Sequence, residues 1–203
     1  MDLFSEHSSV LDAIPIEDGE LYFMPCLPLS GGKQDSAAVL ARLVAETDWR
    51  AESITLWGKQ MLQPRLTAWH GEARYTYSGM TLEPQPFTPL QLEIKRAVEQ
   101  ASGQRFNSVL LNYYRDGQDS MGFHSDDEKE LGKNPVIASV SFGAPRTFIL
   151  KHKRLPKTVK LALGDGSLLV MAGALQHHWR HGINKEKAAA GPRVNLTFRK
   201  ILA

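Results

Sequence analysis

The spacing of apolar residues changes character along this chain. Behind Asp35, a residue type suited to a helix start, Val39, Leu40, Leu43 and Val44 recur at helical spacing and predict a first helix. Ahead of it, residues 1–34 show no period and cluster Pro25, Pro28, Ser30, Gly31 and Gly32, so they read as an irregular N-terminal segment. Residues 49–79 intersperse Trp57, Trp69, Tyr75 and Tyr77 with Arg, Thr and Gly. Turn signals at Gly58, Pro64, Gly71 and Gly79 make short strands or hairpins the expectation. Thr88-Pro89-Leu90-Gln91 is a capping box with proline at the first helical position. Leu90, Ile94, Ala97, Val98 and Ala101 continue it as one apolar stripe, and Gly103 ends this second helix. From residue 107 the period shortens. Strands are expected at 108–115, 136–142, 146–151, 167–171, 178–183 and 193–199, a density that suggests a sandwich or barrel, the jelly roll among them. The fold class expected is α+β and mainly β, with two helices on the N-terminal side of the β-core.

Length and composition leave that picture standing. At 203 residues, 42% hydrophobic and 23% charged, the chain suits one globular domain at 35–203 behind the segment 1–34. The longest apolar run, about Leu168 to Leu175, is far short of the ~18 residues of a membrane helix. Acids stand near the N-terminus where a signal peptide carries lysines. One cysteine, Cys26, excludes an internal disulfide and a cysteine-rich zinc site. A cytoplasmic monomer with no membrane partner is therefore expected. A net charge of +2 permits a nucleic-acid partner without demanding one.

The candidate chemistry sits in the C-terminal half. His124-Ser125-Asp126 puts an imidazole and a carboxylate on one face of an extended segment. Taken alone, this is two polar residues in a loop. Gln176-His177-His178-Trp179-Arg180-His181 adds imidazoles on an expected strand. Two histidines and a carboxylate with open positions make the facial triad of non-haem Fe(II) oxygenases, although three ligands and an open site also suit catalytic zinc. Twelve residues past His181 comes a strictly alternating strand, with Val194, Leu196 and Phe198 on one face and Arg193, Asn195, Thr197 and Arg199 on the other. Two guanidiniums beside a metal call for anions. A dicarboxylate co-substrate satisfies both, since arginine's fork pairs with carboxylates bidentately. By parity Asn112 and Tyr114 share a face and can donate to the same small anion.

Four blocks occur in order: FNSVLLNYYRDGQDSMGFHSDDE, VIASVSFGAPRTFIL, HHWRHGI and PRVNLTFRKI. Together they resemble the AlkB family of Fe(II)- and 2-oxoglutarate-dependent dioxygenases, nearest the branch that repairs alkylated double-stranded DNA. The resemblance runs from about Leu56 to Leu202. It implies a double-stranded β-helix core at 107–203 and an aromatic nucleotide-recognition lid at 49–79. It implies His124, Asp126 and His181 as iron ligands, with His177 and His178 as neighbours. It implies Asn112, Tyr114, Arg193, Asn195, Thr197 and Arg199 around 2-oxoglutarate, with O2 as co-substrate. In the lid, Trp57-Gly58-Lys59 matches a wedge that fills the gap left by a flipped base, with tryptophan where the related branch commonly has phenylalanine. Tyr75 and Tyr77 match residues lining the base pocket, and Asp127 matches a carboxylate beside the exocyclic amine of the damaged base. Trp69 is expected in the core. Lys185 and Lys187, just past the ligand His181, are candidate phosphate contacts.

The activity implied is oxidative demethylation of 1-methyladenine and 3-methylcytosine in DNA, releasing formaldehyde, succinate and CO2. An oxygenase acting on RNA or protein would carry the same metal and co-substrate residues and differ at Trp57, Tyr75 and Tyr77. A nucleic-acid-binding jelly roll without catalysis, or a zinc protein without redox chemistry, is the reading from another class.

Overall fold

A computed structural model of the chain describes residues 10–29, 35–56, 59–72, 75–77, 80–187 and 191–202; within 54–60 and 75–82 it describes backbone alone. In chain order the elements are β1 (Asp12–Ala13), β2 (Glu20–Met24), α1 (Ser36–Glu46), β3 (Ser53–Leu56), β4 (Lys59–Leu62), β5 (Leu66–Gly71), β6 (Tyr75–Tyr77) and β7 (Met80–Leu82). There follow α2 (Pro89–Ser102), β8 (Ser108–Tyr114), β9 (Met121–His124), β10 (Ile137–Gly143), β11 (Arg146–His152) and β12 (Thr158–Leu163). The chain continues with β13 (Leu168–Ala172), a single turn α3 (Leu175–His178), β14 (Trp179–Ile183) and β15 (Arg193–Arg199).

Both long helices begin where their caps dictate. The Asp35 carboxylate accepts from the Ala37 N–H at 3.0 Å and starts α1. Thr88 Oγ1 accepts from the Gln91 N–H, and Gln91 Oε1 accepts from the Thr88 N–H, so the capping box of α2 is complete. Gly103 ends α2 at φ 67°, the left-handed conformation in which a side chain would strain the backbone.

Two antiparallel sheets make up the rest. One runs β1-β2-β13-β10-β15-β8-β5 and the other β12-β11-β14-β9; β3–β4 and β6–β7 form two separate hairpins. The alternation expected in the sequence divides the large sheet into two faces. Val109, Leu111, Val140, Leu168, Leu196 and Phe198 join Val39, Leu43, Ile94 and Val98 in the core beneath the helices. The opposite parity, with Leu110, Tyr114, Ile137, Leu169 and Met171, packs against Phe148, Leu150, Trp179 and Ile183 of the small sheet. Helices, large sheet and small sheet therefore stack in that order, and the polar side chains of β15 and β8 are directed between the sheets. Trp69 is buried in that inner core, as the sequence suggested.

The N-terminal segment departs from expectation. Residues 10–29 are not irregular throughout. β2 pairs with β13 from Leu168↔Met24 to Ala172↔Glu20 and extends the large sheet. Leu21, Met24 and Leu27 are buried. Five residues give too little alternation to announce a strand, and the partner lies well over a hundred residues downstream. The sequence also left β9 and β12 unmarked. β12 follows a lysine-rich stretch that reads as a charged surface. Among the described residues, no helix is long and apolar enough to cross a membrane.

Candidate metal and anion centre

β9 and β14 are neighbours in the small sheet, and their register puts His124 directly opposite His181. The rings lie edge to face with centroids 4.4 Å apart. Asp126 follows two residues later, fully buried, and the three residues offer ligand atoms within 4.8 Å of one another. His124 Nδ1 lies 2.9 Å from the Gly122 carbonyl oxygen, which only accepts, so Nδ1 carries the proton. Nε2 is then the basic nitrogen, and it lies 3.7 Å from Asp126 Oδ1. Phe148 stacks on His181 at 5.2 Å.

The protonation states suit metal binding. Burial would push the Asp126 carboxyl up, but Arg199, then His124 and His181, pull it down to about 2. Arg199 Nη2 donates to both Asp126 oxygens, at 2.9 and 3.0 Å. Burial, then the neighbouring His124, pushes His181 down to about 3, and burial also lowers His124 against the pull of Asp126. Two neutral imidazoles and one carboxylate result. The Asp126 backbone N–H donates to Gln176 Oε1 at 3.0 Å, which fixes the strand exit that carries the carboxylate.

The same cavity continues onto the large sheet. Register places Arg193 opposite Tyr114 and Asn195 opposite Asn112. Arg193 is 1% exposed; its Nη2 donates to Ser141 Oγ at 2.9 Å, while Nε and Nη1 are buried with no hydrogen-bond partner among the described residues. Its guanidinium lies 5.0 Å from the Tyr114 ring centre. Burial lowers the pKa of Arg193, opposed by the Tyr114 hydroxyl. Asn195 donates to Ser139 Oγ at 2.7 Å and accepts from Thr197 Oγ1 at 2.9 Å. Asn112 Oδ1 accepts from Arg65 Nε at 2.7 Å. A buried guanidinium with two nitrogens lacking hydrogen-bond partners among the described residues is costly unless an anion joins it. A small dicarboxylate reaching from Arg193 toward the triad suits the donors of this lining, and His181 Nδ1 is buried with no hydrogen-bond partner among the described residues.

Among the predicted site residues, the metal triad and Asn112, Tyr114, Arg193, Asn195, Thr197 and Arg199 thus meet in one cavity. Asp127 is half-exposed, 3.6 Å from Lys153 Nζ, which also donates to the Gln176 carbonyl at 2.9 Å. Lys185 and Lys187 are exposed on the segment leaving β14. Trp57 and Gly58 lie outside the described residues, as do the side chains of Lys59 on β4 and of Tyr75 and Tyr77 on β6. His177 faces Asn134 and the Lys133 carbonyl, away from the triad. His178 belongs to a second compact group with His152 and Asp18. In that group His152 Nδ1 accepts from the N–H groups of Arg154 and Leu155, so Nε2 holds the proton and donates to Asp18 at 3.1 Å. A protonated Nε2 cannot ligate, and the group fastens β11 to the N-terminal segment instead. Sequence reasoning missed Arg65, Ser139, Ser141 and Gln176. The two serines carried a signal, as polar residues of one parity within the apolar strand expected at 136–142.

A family model described as the 2OG-Fe(II) oxygenase superfamily matches residues 23–199. The alpha-ketoglutarate-dependent dioxygenase alkB homolog 3 of Mus musculus is 44% identical over 173 residues, covering 80% of this chain and 60% of that protein. The DNA oxidative demethylase ALKBH2 of Mus musculus is 41% identical over 184 residues, covering 84% of this chain and 77% of its own length. The chain thus spans about 60% of the length of the alkB homolog 3 relatives it matches. Among solved structures, that of OsALKBH1 superposes with a TM-score of 0.63 at 17% identity, covering 93% of this chain and 99% of the other, a likeness of fold.

Proposed function

The chain belongs to the 2OG-Fe(II) oxygenase superfamily and to its AlkB branch, and on that footing we propose that it oxidatively demethylates alkylated nucleobases in DNA, with 1-methyladenine and 3-methylcytosine as substrates. The carrying observation is the single cavity that joins a His-Asp-His group, its Asp126 and His181 buried, to Arg193, whose Nε and Nη1 have no hydrogen-bond partner among the described residues. Its two facing sheets form the double-stranded β-helix, or jelly roll, within one dioxygenase domain at 35–203, to which β2 adds a strand from the segment 1–34. The enzyme works as a cytoplasmic monomer.

His124, Asp126 and His181 hold Fe(II), and the two imidazoles are already neutral for the purpose. Arg193, Tyr114, Asn112 and Thr197 hold 2-oxoglutarate, with Arg193 at its far carboxylate and Ser141 orienting the fork. Arg199 keeps Asp126 ionised, and Asn195 orients the Thr197 hydroxyl. Bound iron with 2-oxoglutarate and O2 supplies the oxidation that turns the N-methyl carbon into departing formaldehyde, with succinate and CO2 as co-products. The chain's own task is to present that methyl group and exclude water. The 49–79 lid does so, Tyr75 and Tyr77 stacking on the flipped base, Trp57 in Trp57-Gly58-Lys59 filling the gap it leaves, and Asp127 facing its amine. Lys185 and Lys187 take phosphates beside the cavity.

The deciding experiment incubates the protein with Fe(II), ascorbate, 2-oxoglutarate and an oligonucleotide carrying 3-methylcytosine, single-stranded and duplex in parallel, with mass spectrometry of the base. Methyl loss that requires 2-oxoglutarate and disappears in His124→Ala is the expected result. Succinate without methyl loss from either DNA form would overturn the DNA reading in favour of RNA or protein. Zinc as the bound metal and no turnover after anaerobic iron loading would overturn the oxygenase reading.

A further inference from the structure

Arg146, at the start of β11, is 2% exposed and takes no part in the roles assigned above. Its guanidinium is committed to backbone. Nη1 donates to the Asp116 carbonyl at 3.2 Å, and Nη2 donates to the Asp119 carbonyl at 2.8 Å and the Asn184 carbonyl at 2.7 Å. The face of the same group lies 5.5 Å from the centre of the Tyr114 ring, whose other guanidinium neighbour is Arg193 at 5.0 Å. Nε lies 3.8 Å from Glu186 Oε2.

The segments so joined adjoin three strands that carry site residues, leaving β8 and β14 and entering β9. Residues 116–119 form the turn between β8, with Asn112 and Tyr114, and β9, which ends at His124. Asn184 follows β14, which carries His181. Two further bonds close the bundle: the Glu186 N–H donates to the Gly117 carbonyl at 2.8 Å, and the Thr147 N–H donates to Glu186 Oε1 at 2.9 Å. Asp119 is itself clamped by Arg115. A planar fork with five fixed donors is the side chain that can hold three carbonyls and an aromatic face at once. A lysine ammonium reaches the space but cannot reproduce that geometry.

We infer that Arg146 is a positioning residue for co-substrate binding: with Arg193 it fixes the Tyr114 ring and thereby sets the geometry in which Tyr114 and Arg193 take 2-oxoglutarate. This rests on the co-substrate reading of the cavity. Removing a partner that orients a metal ligand costs about 10- to 100-fold in metal affinity or activity, and a loss of that order is expected here for 2-oxoglutarate.

The test is anaerobic titration calorimetry of 2-oxoglutarate into Mn(II)-loaded protein, with Mn(II) affinity measured separately. Arg146→Met and Arg146→Lys are each expected to raise the dissociation constant for 2-oxoglutarate by about 10-fold or more while shifting Mn(II) affinity far less. Arg146→Lys retains the charge and a donor and is the variant to rely on if Arg146→Met does not fold. Introduced on a Tyr114→Ala background, Arg146→Lys is expected to add almost nothing, because the effect passes through that ring. Wild-type affinity in Arg146→Lys, or full additivity with Tyr114→Ala, overturns the inference and leaves the cavity reading intact. Wild-type protein that binds Mn(II) but no 2-oxoglutarate overturns the reading beneath it.

Discussion

The cost of removing a ligand depends on what else that side chain holds. Asp126 answers Arg199, and both are almost completely inaccessible. Deleting one member of a buried, hydrogen-bonded ion pair takes the counter-charge from the other and costs about 3–5 kcal/mol. His124 has a different position, with its side chain 21% exposed and its Nδ1 bonded to a carbonyl of its own strand. Asp126→Ala and His124→Ala should therefore abolish iron-dependent turnover alike but part company in stability. In urea unfolding of the metal-free proteins, Asp126→Ala is expected to lose several kcal/mol and His124→Ala about 1–2 kcal/mol. Equal midpoints would mean that the Arg199–Asp126 pair contributes no more than the exposed edge of an imidazole. The residues that hold this pair in place show how far the sequence reaches. His124 with Asp126, and Arg193 with Arg199, were legible because their spacing and parity are local, whereas only the family resemblance singled out His181 from His177 and His178. The Arg65 bond to Asn112 and the Gln176 bond to Asp126 join positions some fifty residues apart, and no local period announces them.

At the scale of elements, local chemistry was legible wherever it was sufficient to form the element. The capping box and Gly103 bounded α2 because every group involved lies within four residues of the helix end. β2 needed β13 to become a strand, and β9 is four residues long with a glycine inside it, so neither was legible. The C-terminal end of α2 carries a further device that closes within seven residues of chain. Glu99 accepts from Lys95 Nζ at 2.8 Å, from the Phe106 N–H at 2.8 Å and from Arg105 at 3.2 Å, with a side chain only 6% exposed. Burial would raise its pKa, but the Lys95 and Phe106 bonds more than offset this and hold the carboxyl below its usual value. A depressed carboxylate stabilises the fold above its unfolded pKa of about 4.3, where it is ionised in both states. Below that the unfolded chain binds the proton first, so the contribution fades as pH falls through the depressed value. Glu99→Gln should lower stability at pH 7 by about 1–3 kcal/mol, the cost of weakening charge-assisted bonds to a buried group. It should also flatten the loss of stability on the acid side of pH 4. Denaturant midpoints across pH 3–7 measure both, and parallel curves for the two proteins would remove Glu99 from the account.

For the whole molecule, a net charge of +2 is too small to draw a polyanion from a distance. Any grip on nucleic acid must come from where cations are placed. Lys185 and Lys187 are exposed, yet the backbone around Lys185 is fastened on either side, the Asn184 carbonyl to Arg146 and the Glu186 N–H to Gly117, and Lys187 follows the second anchor. This segment begins at the end of β14, two residues past His181, and under the proposed function its two ammonium groups meet phosphates flanking the base. Each phosphate neutralised releases about 0.7 counterions on single-stranded DNA and about 0.9 on duplex. Replacing both lysines by alanine should reduce the slope of log affinity against log salt by about 1.4 on single strands and about 1.8 on duplex. The loss should be uniform across base sequences, because a phosphate contact carries no sequence information. Affinity for 2-oxoglutarate should stay unchanged, since neither side chain lines the cavity. Fluorescence anisotropy with a methylated oligonucleotide at several salt concentrations reads the slope directly. A double variant with the wild-type slope would move the phosphate contacts elsewhere, and the cluster Lys151, Lys153, Arg154, Lys157 and Lys160 around β11 and β12 would be the next set to replace.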